Sequence, residues 1–371
     1  MGEVCCICGN PSKEINFYVN KSVSSDARLI NHAIRHRYCD KCGYIFIDEK
    51  YRIDRNKFYK DDYDFLLDGD VEPTIKEIKY SQYLVNLFSK YIRDKKDFSF
   101  FDIGSGKGNF IKAMHEKFST LKYTALEPSK AFKVLKNNNF ISELHNNFFE
   151  FKNKNKKKYN YLSLIGVLEH VPNPKSFLLD IRNIMNISSY LLIEVPNFTN
   201  NKSDLLTVDH ISKFTHESIK NLFNVVGFEI IEEQVLSTVP MQYVLRIQKE
   251  DNIKILDVKN DINNAVAYLK QAFSDAEKLK NKKIAIYGQG LIMEYLLGSG
   301  ILNYKNIVCI VDDNPLYQVK KWKNKLPIVN LNKYFLEYEA IYMYLAMNDC
   351  YHKDVLKKLT GHKVHVYGAV K

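Results

Sequence analysis

The sequence predicts an α/β protein: a Rossmann-like parallel sheet, preceded by a small cysteine-rich module and followed by a second Rossmann-like unit. Three observations carry this. Four of the seven cysteines form two C-x-x-C pairs near the N-terminus. From about residue 71, short apolar runs that stop at Gly or Pro alternate with segments of helical period. From about residue 251 the same alternation begins again. Three domains follow, 1–70, 71–250 and 251–371, in keeping with about 100–200 residues per domain.

Composition narrows the function classes. The chain of 371 residues is 46% hydrophobic and 13% aromatic, enough for folded cores and against a disordered chain. No apolar run approaches the roughly 18–20 residues that cross a bilayer. The start MGEVCCICGN has no apolar signal core, so a cytoplasmic protein without a membrane span is expected. The net charge of +11, from 54 Lys and Arg against 43 Asp and Glu, is dispersed. Its one cluster is Lys152, Lys154, Lys156, Lys157 and Lys158. That is not the basic stripe interleaved with aromatics that nucleic acid requires. Oligomeric state is left open.

In the N-terminal segment, Cys5-x-x-Cys8 and Cys39-x-x-Cys42 place four thiolates in two knuckle-like turns, each followed by a glycine, Gly9 and Gly43. With no export signal, the pattern reads as metal binding rather than disulfides. Four thiolates suit tetrahedral zinc and close its shell, so the role is structural. His32 and His36 are lesser ligand candidates, better read as surface histidines. Cys6, Cys309 and Cys350 read as free thiols.

In the middle segment, 98–104, 121–128, 159–170 and 189–198 read as strands. The run 215–228 reads as a helix ending at glycine, and two closing strands follow. Phe101-Asp102-Ile103-Gly104-Ser105-Gly106-Lys107-Gly108 joins the first strand to a helix. Glycines there let backbone approach a ligand closely. A dinucleotide site wants G-x-G-x-x-G, whereas this run is D-x-G-x-G-x-G. Glu127 ends the next strand, where a carboxylate suits a ribose diol and repels a phosphate. Asn147 and Phe148 follow the third strand, and 166–174 (GVLEHVPNP) follows the fourth. Glu169 and His170 in that run are equally readable as helix-capping residues.

In the last segment, 264–280 reads as a long helix, and strand-then-loop units follow. Gly288-x-Gly290 lacks the third glycine of a dinucleotide fingerprint, with Met293 in its place, so NAD is not expected. Val311, Asp312, Asp313, Asn314 and Pro315 follow the next strand, and YLAMN ends at Asn348.

The glycine loop and the GVLEHVPNP run resemble those of class I S-adenosylmethionine-dependent methyltransferases. That resemblance implies S-adenosylmethionine as cofactor, bound by Asp102, Gly104, Gly106, Gly108, Glu127, Asn147 and Phe148. It places Asp102 near the methionine amino group, Glu127 on the ribose, and Asn147 and Phe148 at the adenine. The whole order resembles the sugar C-methyltransferases, which act on nucleotide-linked 4-keto deoxysugars in antibiotic and cell-surface glycan biosynthesis. The resemblance matches Cys5, Cys8, Cys39 and Cys42 to zinc ligands. It assigns the C-terminal domain, with Gly288, Gly290, Asp312 and Asn348, to enclosing the sugar nucleotide. Tyr59 and Tyr63 are expected to border the cofactor pocket.

One stretch departs from that family. It usually carries Tyr-His-Glu-His after the fifth strand, and here Thr207-Val208-Asp209-His210 stands in its place. The catalytic expectation is therefore His210 as the base, oriented by Asp209 or Glu194. Carbon methylation is the first reading. Methyl transfer to a sugar oxygen is the runner-up, because it needs a single base. A non-catalytic nucleotide-binding protein of a glycan pathway is the third.

Overall fold

The computed structural model describes residues 3–59, 74–150, 157–248, 257–314, 321–323, 325–338 and 342–368. Both expected domain boundaries lie outside the described residues, as do Tyr63, Lys152, Lys154, Lys156 and Pro315.

The N-terminal module is an antiparallel sheet of Lys13–Val19, Ile34–Tyr38 and Ile45–Ile47, with a fourth strand, Ser212–Lys213, supplied from far along the chain. Lys13–Val19 alternates as a half-buried strand should: Ile15, Phe17 and Val19 point inward while their neighbours face out.

The central sheet has seven strands in the order Phe228–Val235, Pro240–Ile247, Met185–Pro196, Tyr159–Ile165, Ser99–Ile103, Lys122–Leu126, Ile141–His145. Five strands run parallel in the Rossmann order 3-2-1-4-5. An antiparallel hairpin extends the far edge. Every residue of Ser99–Ile103 is buried, as expected of a central strand covered on both faces. Flanking helices carry their own start and stop signals. Ile75–Ser89 begins with a Thr74–Glu77 capping box. His216–Val226 begins with a Thr215–Ser218 box and stops at Gly227 in the left-handed region, as the sequence predicted.

The third sheet places Ile284–Tyr287 between Ile307–Val311 and Tyr342–Leu345, with Leu326–Val329 and His365–Tyr367 outside them. These five strands are parallel and repeat the 3-2-1-4-5 order. The long helix predicted at 264–280 runs Lys259–Lys278. Among the described residues, no helix is long and apolar enough to cross a membrane.

The three sheets share one apolar core. It joins Ile15, Phe17 and Ile34 of the module to Phe198, Leu205 and Leu206 of the central domain and to Ile262, Leu269, Ile286 and Leu296 of the last. The contact is close: a side chain at Gly298 would put its Cβ 2.8 Å from Leu29 Cδ2. Polar links cross the same seam. Asn348 Oδ1 accepts from the Ser203 amide at 3.0 Å, and its Nδ2 donates to Asn201 Oδ1 at 2.9 Å. Lys202 is paired with Asp349 beside it. Asn348→Ala should therefore lower stability by about 1–3 kcal/mol, since a buried amide loses its acceptor. Urea unfolding without ligand measures this, and an unchanged midpoint would count against the structural role.

Candidate active site

The end of strand Ser99–Ile103 leads directly into the glycine loop and then into helix Asn109–Lys117. Gly104 has φ +77°, and a Cβ there would lie 2.4 Å from Val167 Cγ2. The loop therefore presses against the turn that follows the fourth strand, and only glycine permits it. A cavity of about 310 Å³ opens over this switch point, where open α/β sheets bind ligands.

Asp102, Gly104, Gly106, Glu127 and Phe148 line the cavity. Gly108 does not; it caps the helix in a left-handed conformation against Leu135. Asn147 also stays outside, exposed, with its amide turned to the Phe148 carbonyl. Glu127 is anchored on both oxygens: Oε2 accepts from the Gly106 amide at 2.8 Å and Oε1 from the Ser129 amide at 2.7 Å. The remaining lone pairs are free to accept from a diol. Asp102 accepts from Ser163 Oγ at 2.6 Å, and burial lifts its pKa to about 6. Phe148 is sandwiched at the wall by Arg55, whose guanidinium lies 4.1 Å from its ring centre, and by Tyr59 edge-on.

This donor set fits S-adenosylmethionine. Two buried carboxylates suit a ligand bearing a sulfonium and an ammonium, and aromatic walls suit adenine. A pyrophosphate would face the same carboxylates unfavourably.

The cavity's other end is built on the short helix Leu168–His170. His170 lines the cavity, and its Nδ1 meets Tyr59 Oη at 2.7 Å and the Asp209 carbonyl at 2.9 Å. His210 stands behind it, ring centres 4.8 Å apart. Its orienting group is neither Asp209 nor Glu194, as the sequence suggested, but Asp204, whose Oδ1 lies 2.6 Å from His210 Nδ1. Asp209 is held instead by Ser25, through the amide at 2.8 Å and Oγ at 2.5 Å. Glu194 is committed to Tyr80 and to Gln242. Burial pushes the His210 imidazole down, yet Asp204, with Asp209 and Glu169 nearby, outweighs this and holds it up at about 9. Burial, and then the charge of His210, bring His170 down to about 4. Glu169 is buried and raised to about 7. Asp204 and Tyr59 were not singled out as catalytic from the sequence; Asp204 sits in a short helix without motif, six residues before His210.

Gly288, Gly290 and Asp312 gather at the carboxyl ends of two strands of the third sheet, the position of a Rossmann ligand. Asp312 Oδ1 accepts from the Asn314 amide at 2.9 Å. Neither these residues nor Asn348 line the central cavity.

The four cysteines converge. Cys5 and Cys42 sulfurs lie 3.5 Å apart, Cys8 and Cys39 3.4 Å, and all four lie within 4.8 Å of one another. A tetrahedral ion with arms of about 2.3 Å asks for sulfurs about 3.8 Å apart, so the set fits a thiolate-bound metal. In each knuckle the glycine amide returns to the first cysteine: Gly9 to the Cys5 carbonyl at 2.9 Å, Gly43 to that of Cys39 at 3.0 Å. Asn10 Nδ2 donates to Cys8 Sγ at 3.3 Å. The histidines of the gap stand apart. His32 Nε2 lies 3.1 Å from the Tyr51 carbonyl. His36, expected at the surface, is fully buried in strand Ile34–Tyr38, and burial lowers its pKa.

Residues 51–233 match the family model described as "Methyltransferase domain". This segment is similar to methyltransferase domains. No curated protein matches the chain significantly. Among solved structures, the plantazolicin methyltransferase BpumL, in complex with SAH, is 11% identical with a TM-score of 0.40, covering 49% of this chain and 89% of its own. An S-adenosylmethionine-dependent methyltransferase from Clostridium acetobutylicum is 10% identical with a TM-score of 0.38, covering 48% and 94%. The mitomycin 7-O-methyltransferase MmcR is 15% identical with a TM-score of 0.37, covering 45% of this chain, which spans only 54% of that enzyme. The matched segment lies in the middle of the chain, with described structure on both sides of it.

Asp102 offers a test of the cavity's charge. Its carboxyl titrates higher in the folded protein than in the unfolded chain, so it costs stability as pH rises from about 4 through 6. Asp102→Asn should be more stable than the parent at pH 7.5, by up to about 3 kcal/mol, and equal to it near pH 4. The same variant should bind S-adenosylmethionine at least about tenfold more weakly. Thermal melts across pH, with calorimetric titration of the cofactor, measure both. A variant less stable at pH 7.5 would sink the assignment.

Proposed function

We propose that the protein transfers a methyl group from S-adenosylmethionine to a nucleotide-linked sugar, with carbon beside a 4-keto group as the acceptor. The observation that carries this reading is a carboxylate-lined cofactor cavity ending at Tyr59 and His170, with His210 and Asp204 immediately behind. Bound S-adenosylmethionine supplies an electrophilic methyl on a cationic sulfur. The chain's residues align the acceptor and remove its proton. Glu127 and the glycine loop hold the cofactor, and Asp102 faces its cationic end.

The acceptor lies against Tyr59 and His170. Its proton would pass to His170, which burial and the charge of His210 behind it keep neutral, and the methyl that the cofactor supplies would take the proton's place on carbon. The altered stretch Thr207–His210 bears on the choice of acceptor. The tyrosine missing there has a counterpart in space, since Tyr59 brings a phenol to the same histidine pair. That supports carbon transfer. Oxygen transfer remains the second reading, favoured by Thr207 standing where the family has its tyrosine. The nucleotide is assigned to the third domain, where Gly288, Gly290 and Asp312 meet; the sequence resemblance supports this.

The four cysteines are proposed to hold one structural zinc ion. Cys39→Ser should lose one zinc per chain and become susceptible to proteolysis in the N-terminal module, measured by elemental analysis and limited digestion. Retention of full zinc content would refute the assignment.

The decisive assay incubates the protein with S-adenosylmethionine and keto and non-keto nucleotide sugars in D2O, read by mass spectrometry. Methyl gain on a keto sugar, with solvent deuterium beside the ketone, is the expected result. Methyl gain without exchange, on a hydroxylated sugar, moves the acceptor to oxygen. No methyl gain on any member overturns the nucleotide-sugar reading.

A further inference from the structure

Glu169, His170 and His210 each offer one ligand atom, and the three atoms lie within 4.8 Å of one another. We propose that they form a divalent-cation site at the end of the cavity, distinct from the cysteine site. The hydrogen bonds already made point to it. The Asp209 carbonyl, 2.9 Å from His170 Nδ1, can only accept, so that bond puts the proton on Nδ1, with Tyr59 Oη at 2.7 Å then accepting from the same N–H. His210 Nδ1 likewise faces the Asp204 carboxylate at 2.6 Å. Both imidazoles are thus oriented through Nδ1, which leaves Nε2 on each as the donor lone pair. A carboxylate or carbonyl behind each ligating histidine is the usual outer support of a metal.

Glu169 supplies the independent observation. Its side chain is buried, 3% exposed, and Oε2 accepts a hydrogen bond from no described residue. An orphaned buried carboxylate oxygen is costly, and a cation held jointly with two imidazoles would offset it. An ion with arms of about 2.1 Å needs ligands about 3–4 Å apart, and the three atoms lie within 4.8 Å of one another.

Two nitrogens and one carboxylate oxygen suit a borderline divalent ion such as Mn2+, Co2+, Fe2+ or Zn2+. Of the three ligands His170 borders the cavity, so an acceptor would approach the ion past that imidazole. The ligand class implied is a molecule with two adjacent oxygens, a hydroxyl beside a carbonyl or a vicinal diol. The ion would polarise those oxygens and acidify the acceptor, whose proton would then leave to water in the cavity in place of the imidazole route given above. This last step rests on the methyl-transfer reading; the binding of the ion does not.

The test uses full-length protein with its cysteine site loaded with zinc. Mn2+ is titrated and its free concentration read by electron paramagnetic resonance, because a hard ion competes poorly for thiolates. Co2+ is followed in parallel by its d–d bands without sulfur charge transfer. One ion per chain is expected in the parent. Glu169→Gln and His210→Asn should each weaken binding at least about tenfold, and Asp204→Asn about 10–100-fold through the outer shell. Calorimetric binding of S-adenosylmethionine confirms that each variant is folded. Absence of both ions from the parent overturns the proposal, as does parent-like binding by all three variants. Failure of every sugar in the methyl-transfer assay would leave the stoichiometry standing, so the two readings fail separately.

Discussion

The segment from Asn197 to Phe214 is the constraint on which the rest of the structure depends. Its Ser212–Lys213 strand completes the sheet of the N-terminal module. Phe198, Leu205 and Leu206 enter the core shared with the third domain. Between them it carries Asp204, Asp209 and His210. Lys213, only 1% exposed, fixes the conformation from inside: its ammonium donates to the carbonyls of Thr207 and His210. Burial lowers that lysine to about 8, and Asp204 and Asp209 act in the opposite sense. A buried ammonium is tolerated only when paired and hydrogen-bonded, so charge and loop geometry define each other here.

Much of the central domain was legible because its signals are local. Strand Ser99–Ile103 is an apolar run stopped by glycine, and the helix ending at Gly227 has both amphipathic period and cap. Glu127 and Gly106 were legible because a strand–turn–helix places chemistry at a fixed offset. The cysteine pairs were legible for the same reason, since each knuckle is a self-contained turn. Asn147 and Gly108 show the limit of such reasoning. Both sit in the right stretch of chain, yet one faces solvent and the other packs under a helix cap, because neighbouring residues direct their backbone away from the cavity.

What the sequence could not convey was assembled from distant parts. Asp204 orients His210 because a short helix turns one onto the other, and no spacing rule encodes that. Tyr59 reaches His170 across more than a hundred residues of chain. His36 looked like a surface histidine in a polar stretch, and tertiary packing of the module buried it. Asn348 carried a motif that read as substrate contact, while its hydrogen bonds go to Asn201 and Ser203 across a domain seam. In each case the deciding partner lies on another element, where local pattern has no access.

The N-terminal module also explains why the central sheet carries a cysteine cluster at its side. A unit of fewer than about 70 residues rarely stabilises itself on apolar burial alone, and a metal is a common staple. This module reaches the candidate site through hydrogen bonds from Ser25 and Tyr44. Lys175 donates to the Ile7 carbonyl at 3.0 Å and Asn221 to that of Cys42 at 3.2 Å, so both knuckles are tied to the central domain. Tyr44, two residues beyond Cys42, meets Ser212 Oγ at 2.7 Å, just past His210. From the opposite side Ser25 holds the Asp209 carboxylate, and the Asp209 carbonyl in turn holds His170. The orientation of His170 is therefore set by two layers of hydrogen bonds that begin in the module. A loosened knuckle would reach that imidazole through Ser212 and Asp209, without any change in the cofactor cavity itself.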